Sequence, residues 1–249
     1  RRPESPRKAR PGRRESSLFA QVKRSLAWSY RFSDAPHLPA KSSVTRLTHN
    51  NDEYAQRDYR RALERRPGIL AFTEPDLSEP LDARLIGTAT HLVLSQLDIT
   101  TPITIDLIER TSARLVADGA IAPAVAELID TVAILEFFRS EQGGWILDPS
   151  NTVWREWPFT FSLPVSELAG TSGETIIVQG IIDLLVRTVE GLVVVDFKTD
   201  RITSEQTAER AEFYRRQLQL YSRAACAILK AKPAGNWLYF LTPRVFVEV

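Results

Sequence analysis

The stretch "GIIDLLVRTVEGLVVVDFKTD", residues 180–200, reads as two apolar strands around a turn, and it carries Asp183, Asp196 and Lys198 among Ile, Leu and Val. An unpaired carboxylate buried in such a strand costs several kcal/mol. These residues therefore either face solvent in an ordinary hairpin or converge on something that stabilises them. Glu190-Gly191 is a natural two-residue turn, which pairs Val189 with Leu192, sets Leu185 opposite Asp196 and sets Asp183 opposite Lys198. Side chains alternate along strands, so Asp183, Asp196 and Lys198 share one face. Carboxylates that close repel unless a cation lies between them, and hard oxygen donors suit Mg²⁺ or Mn²⁺. A lysine on the same face can hold an attacking water or offset charge on a phosphate. A solvent-facing strand edge with a cross-strand Asp–Lys pair accounts for the same residues, and the hairpin alone leaves both readings open.

The chain after the hairpin adds a second set of polar residues. "SEQTAERAEFYRRQLQLYSRAACAILKA" (204–231) is the clearest helix, closed by Pro233 and Gly235, and it puts Gln217 and Tyr221 on one face, four residues apart. "NWLYFLTPRVFVEV" (236–249) returns to strand. Before the hairpin, "NTVWREWPFTFSLP" (151–164) is aromatic and alternating, as strands are. The texture changes at Gly143-Gly144. Helical spacing marks 101–121, 123–140 and the segment that becomes helical near Leu85, which includes "GTATHLVL" (87–94). "APHLPAKSSVTRL" (35–47) enters a short helix at Ser42 or Ser43, both suited to cap it. "SLFAQVKRSLAWSYRF" (17–32) is a helix or an extended arm, and "DEYAQRDYRRALERR" (52–66) a solvated helix or a loop. Helices, then strands, then a helix and a strand argue α+β or α/β.

Composition narrows the classes. Of 249 residues, 43% are apolar and 25% charged, which are globular values. No apolar run reaches the ~18–20 residues of a membrane span, and with no secretory leader at the start a cytoplasmic protein is expected. The single cysteine, Cys226, rules out an internal disulfide, a four-cysteine zinc site and a four-cysteine iron–sulfur cluster. Net charge is +1, but Arg1, Arg2, Arg7, Lys8, Arg10, Arg13 and Arg14 crowd the start against Glu4. Such a Pro-rich basic run reads as a solvated linker or a nucleic-acid contact. The absence of any methionine, including an initiator, suggests a piece of a longer chain.

G-x-x-D, then D-x-K-T, then Q-x-x-x-Y, in that order, is similar to the pattern of RecB-type nucleases within the PD-(D/E)xK superfamily. "GTATHLVL" looks like that family's upstream helix with its metal-binding histidine. "REWPF" (155–159) and "LPAKSSVTRL" (38–47) resemble the AddA branch, the C-terminal nuclease domain of helicase–nuclease subunits. The lone cysteine excludes the AddB-like branch with its iron–sulfur staple.

The resemblance implies a restriction-endonuclease-like α/β (α+β) core: a mixed central sheet flanked by helices, plus an N-terminal helical region. It divides the chain into a basic linker over 1–37 and a nuclease domain over 38–249. That domain is helical to about 140, with the catalytic sheet and Q-x-x-x-Y helix over about 141–249. It implies His91, Asp183, Asp196 and the Phe197 backbone carbonyl as ligands of Mg²⁺ or Mn²⁺, and Asp183, Asp196 and Lys198 as the catalytic set. Gln217 and Tyr221 would contact DNA or support the site, Glu156 would be an outer-shell or second-metal acid, and Thr199 and Asp200 would lead into a loop. On its own, His91 reads as a packed core or surface histidine rather than a ligand; His37 and His49 receive no role. Trp154 and Trp157 are read as core, close enough to the site to be base-stacking alternatives.

The implied activity is hydrolysis of mainly single-stranded DNA in the processing of double-strand breaks for recombinational repair. The implied partners are DNA, the helicase domain of the same full-length chain and an AddB-like partner protein, in the bacterial cytoplasm at the nucleoid and away from membranes. The 249 residues contain no G-x-x-x-x-G-K-[ST] phosphate loop, so no motor is expected within them. A nonhydrolytic DNA-binding or assembly module of the same fold and a stand-alone phage-type exonuclease are the alternatives.

Overall fold

Strand β4 (Leu192–Lys198) is buried from Leu192 through Phe197, so it must be covered on both faces, and the chain is arranged around it. The structure, a computed structural model, describes residues 17–28, 39–48, 83–169 and 173–249. The basic run before residue 17, the boundary near 37–38, the charged segment 52–66, His37 and His49 lie outside the described residues.

Along the chain the elements are α1 (Ser17–Leu26), β1 (Lys41–Ser43), α2 (Val44–Thr48), α3 (Ala83–Gln96), α4 (Ile105–Ala117), α5 (Pro123–Ala126), α6 (Thr131–Arg139) and α7 (Glu141–Leu147). Then come β2 (Thr152–Pro164), α8 (Ser166–Ala169), β3 (Thr175–Arg187), β4, α9 (Thr207–Leu229), β5 (Pro233–Phe240) and β6 (Val245–Glu248). Six strands form one mixed sheet: β1 with β3 and β4 with β5 are parallel, the other pairs antiparallel. One face packs on the α3–α7 layer through residues such as Ile108, Ile134, Phe137, Val193, Val195 and Phe197. The other packs on α9 through Val178, Ile182, Leu185, Leu192, Val194, Ala224 and Ala225. This is the mixed sheet between helices that the sequence implies. No helix among the described residues is long and apolar enough to cross a membrane.

The central hairpin departs from its expected register. Arg187 pairs with Leu192 and Leu184 with Val195, so the loop is Thr188–Gly191 and every partner is shifted by two residues. The side chain of Thr188 causes this: its hydroxyl accepts from Glu190 N–H at 3.1 Å and donates to the Gly191 carbonyl at 3.2 Å. Val189 is left 96% exposed at the tip. A shift of two preserves which side chains share a face, but carrying the register on one step sets Asp183, not Leu185, across from Asp196. Gly191 closes the loop at φ 144°, where an added Cβ would sit 2.4 Å from the Lys232 carbonyl oxygen. Gly191→Ala is therefore expected to destabilise the fold by about 1–3 kcal/mol in urea unfolding; an unchanged midpoint would contradict the closed loop.

Other boundaries also move. The helix expected over 123–140 is two, because Asp130 caps the second by accepting from Ala133 N–H at 2.9 Å. Gly143-Gly144, where the texture of the sequence changes, lie within α7, where Gly143 fits so closely that a Cβ would be 2.1 Å from the Phe137 carbonyl. The strand starts at Thr152. Helix α9 stops at Lys230 in the left-handed conformation, so Pro233 and Gly235 belong to β5 instead of closing the helix. Of the two cap candidates, Ser43 accepts from Arg46 N–H at 3.0 Å. Residues 17–26 are helical.

Candidate metal centre and active site

β2 occupies one edge of β3 for its whole length, so β1 (opposite 177–179) and β4 (opposite 184–187) must share the other. Residues 180–183 lie between those two partners, with no ladder neighbour on that edge among the described residues. Gly180 opens this gap to aromatic packing: a Cβ there would lie 2.6 Å from the Phe159 ring and 3.0 Å from Tyr221. At the end of the gap the side-chain alternation of both strands breaks. Ile176, Val178 and Ile182 face the α9 side, yet Leu184 and Val186 face the helical layer. Across the ladder, Val153 packs toward the helical layer, whereas Trp157, Phe159 and Leu163 pack toward α9. The reversal is centred on Asp183 and Glu156, which the register makes partners, and Glu156 has φ 49°. A positive φ at a non-glycine residue costs of order 1–3 kcal/mol and persists where its surroundings over-determine it.

α3 supplies His91 to this point. Val93, Leu94 and Leu97 seat the helix in the core. One turn before His91, Gly87 brings the helix so close to the end of β4 that a Cβ would be 2.6 Å from Thr199 Oγ1. His91 Nδ1 lies 3.4 Å from Asp183 Oδ2, and the same oxygen accepts the Phe197 N–H at 2.9 Å. One donor atom each from His91, Glu156 and Asp183 falls within 4.8 Å of the others.

The Asp196 carboxylate is turned toward α9. Its Oδ2 is 2.6 Å from Lys198 Nζ, a charge contact without an aligned hydrogen bond. Its Oδ1 accepts from Gln217 Nε2 at 3.4 Å, and that nitrogen also donates to Tyr221 Oη at 3.0 Å. Lys198 Nζ sits 4.2 Å above the Tyr214 ring. Tyr214 Oη bonds Asp200 at 3.2 Å, and Arg210 Nε reaches Asp200 at 2.6 Å. The structure thus brings His91, Glu156, Asp183, Asp196, Lys198, Gln217 and Tyr221 to one end of the gap. Glu156, read as an outer-shell or second-metal acid, stands beside His91 and Asp183, while the Asp196 carboxylate is turned to Lys198. Trp154 and Trp157 are partly buried against the α9-side core.

Tyr214, Asp200 and Arg210 join the site without having been singled out by the sequence. Tyr214 had a legible signal, since it precedes Gln217 by three and Tyr221 by seven, on the same helical face. Asp200 had none: after "DFKT" it reads as a strand end.

Charge explains the side-chain pairing. Burial alone would lower the His91 imidazole, but the Asp183 carboxylate and its hydrogen bond, with Glu156 and Asp196 behind, lift it to about 9. Burial pushes Asp183 up, yet His91, Lys198 and the Phe197 N–H outweigh it and hold the carboxyl below its ordinary range. Asp196 is raised to about 6, by burial first and by Asp183, against the pull of Lys198. Burial opposes the Lys198 charge, but Asp196, Tyr214 and Asp183 together outweigh it, and the ammonium is held above its ordinary range. An imidazolium and an ammonium thus stand among these carboxylates. Ligand atoms around a cation at ~2.1 Å stand roughly 3–4 Å apart, so the convergence of one imidazole and two carboxylates fits a divalent ion in place of the imidazolium proton.

The profile of the PD-(D/E)XK nuclease superfamily matches residues 42–248. The chain is 34% identical over 243 residues to an ATP-dependent helicase/nuclease subunit of Moorella thermoacetica, covering 93% of this chain and 17% of that protein. The protein of the same name from Bacillus velezensis is 34% identical over 242 residues, covering 90% of this chain and 19% of its own length. That of Lactiplantibacillus plantarum is 35% identical over 167 residues, or 66% and 13%. The chain spans less than a fifth of the length of these relatives. With the profile matched across most of its length, on the mixed sheet and around the acids and lysine described above, this chain belongs to the PD-(D/E)XK nuclease superfamily.

Proposed function

We infer that this chain is the nuclease domain of a larger helicase–nuclease protein and that it hydrolyses phosphodiester bonds of DNA, chiefly single-stranded, with Mg²⁺ or Mn²⁺. The observation that carries the reading is the placement of His91 3.4 Å from Asp183, beside Glu156, while Lys198 stands 2.6 Å from Asp196 one strand away. His91, Glu156 and Asp183 are the residues to hold the ion, with Asp196 and the Phe197 carbonyl completing the protein's share. A divalent cation bound there supplies Lewis-acid stabilisation of phosphate charge and a more acidic water. Lys198 keeps a protonated amine 2.6 Å from Asp196, and its N–H donors serve the attacking water or a non-bridging phosphate oxygen. Gln217 holds Asp196 in place, and Tyr221 holds Gln217. The adjoining helicase domain of the full-length chain, an AddB-like partner protein and a cytoplasmic location at the nucleoid belong to the same reading.

The test is cleavage of end-labelled single- and double-stranded DNA by the 249-residue chain with Mg²⁺, Mn²⁺ or chelator. Metal-dependent cleavage that favours the single strand is expected. DNA binding without cleavage under every condition would replace this reading with that of a nonhydrolytic module.

A further inference from the structure

The acids and the lysine all stand on the sheet, but His91 arrives on α3, a separate element. An apolar helix face can slide along the core, whereas an imidazole must be placed within about 0.5 Å to complete a metal site. Two contacts restrict α3 on either side of His91. One is the close approach of Gly87 to Thr199, one turn before. The other lies at the far end, where the last carbonyls of a helix have no partner within it. There Arg155 Nη1 donates to the Leu97 carbonyl at 2.6 Å and to the Leu94 carbonyl at 3.3 Å. Arg155 precedes Glu156 in β2, and its register partner is Leu184, the neighbour of Asp183. Both arginine and histidine line one small cavity, with Glu156, Asp183 and Phe197 on its walls. The end of the His91 helix is thus tied to the same residues of β2 and β3 that carry the acids.

We propose that Arg155 is a positioning residue for the metal centre, acting through His91: its guanidinium fixes the end of α3 to β2 and thereby sets the imidazole against Asp183 and Glu156. This rests on the reading of the site as a metal centre. It predicts a coupling that a general stabilising role does not. Isothermal titration with Mn²⁺ on the 249-residue chain measures it, in wild type, Arg155→Ala, His91→Ala and the double variant. Arg155→Ala is expected to weaken Mn²⁺ binding by about 10–100-fold, the range for partners that orient metal ligands. In the His91→Ala background the same change is expected to cost about twofold or less, because the residue through which it acts is gone. Arg155→Lys, which reaches one carbonyl, is expected to recover part of the affinity, and it carries the same cycle if Arg155→Ala does not fold. Equal losses in both backgrounds, or wild-type affinity in Arg155→Ala, would overturn the proposal; so would a wild-type chain that binds no Mn²⁺. Because the readout is metal and not cleavage, a chain that binds Mn²⁺ through His91 but cuts no DNA would sink the nuclease reading and leave this one standing.

Discussion

Lys198→Ala will lower the single-turnover rate of DNA cleavage by about 10²–10⁴-fold, the scale for removing a positioned proton-transfer or charge-stabilising group. The substitution also leaves Asp196, with a side chain 3% exposed, without its counter-charge at 2.6 Å. Breaking a buried pair by removing one partner costs about 3–5 kcal/mol, so part of any lost activity could come from lost folding. Lys198→Gln separates the two effects. Its amide still offers Asp196 a donor and fills the space over Tyr214, but it carries no charge to a phosphate. The expected pattern is near-native thermal stability in Lys198→Gln, reduced stability in Lys198→Ala, and a large rate loss in both. Cleavage within tenfold of wild type in folded Lys198→Gln would remove the amine from the chemistry.

The hairpin separates what the sequence carries from what it hides. The period-2 pattern in 180–200 identifies two strands, and Asp196 and Lys198, two apart on one of them, share a face whatever the register. The pattern gives no view of Thr188, whose hydroxyl lengthens the loop, nor of a left-handed residue inside a strand. "REWPF" reads as uninterrupted alternation, so nothing in it marks Glu156 as the point where β2 reverses its faces or brings its carboxylate beside His91 and Asp183. Asp183 suffers the same blindness: its position depends on an unpaired gap between β1 and β4, and β1 lies more than 130 residues earlier in the chain. The helix carrying Gln217 and Tyr221 is legible because it is long and its face repeats at 3.6 residues. The break at Asp130 and the helix through Gly143-Gly144 are not, since one depends on a cap and the other on a close backbone contact.

Asp183 carries the second large effect, and the choice of substitution decides what is learned. Its Oδ2 accepts the Phe197 N–H at 2.9 Å and lies 3.4 Å from His91 Nδ1. Alanine would leave that N–H without its acceptor where the two strands part, a desolvation cost of about 1–3 kcal/mol, and lost structure would obscure lost metal. Asparagine keeps the volume and a carbonyl oxygen for Phe197, and removes only the charge that draws a cation to His91 and Glu156. Folded stability in chelator is therefore expected to fall by about 1–3 kcal/mol, the cost of the lost charge contact with His91. Addition of Mn²⁺ should raise the melting temperature of wild type and leave Asp183→Asn unmoved, since ligands stabilise only the state that binds them. Cleavage should fall by about 10³-fold or more, as the several kcal/mol of charge stabilisation from a bound ion disappear. The two readouts must move together. An Asp183→Asn chain that still gains stability from Mn²⁺ would place the ion away from His91 and Glu156, whatever its activity, because no arrangement centred on that pair can dispense with the carboxylate between them.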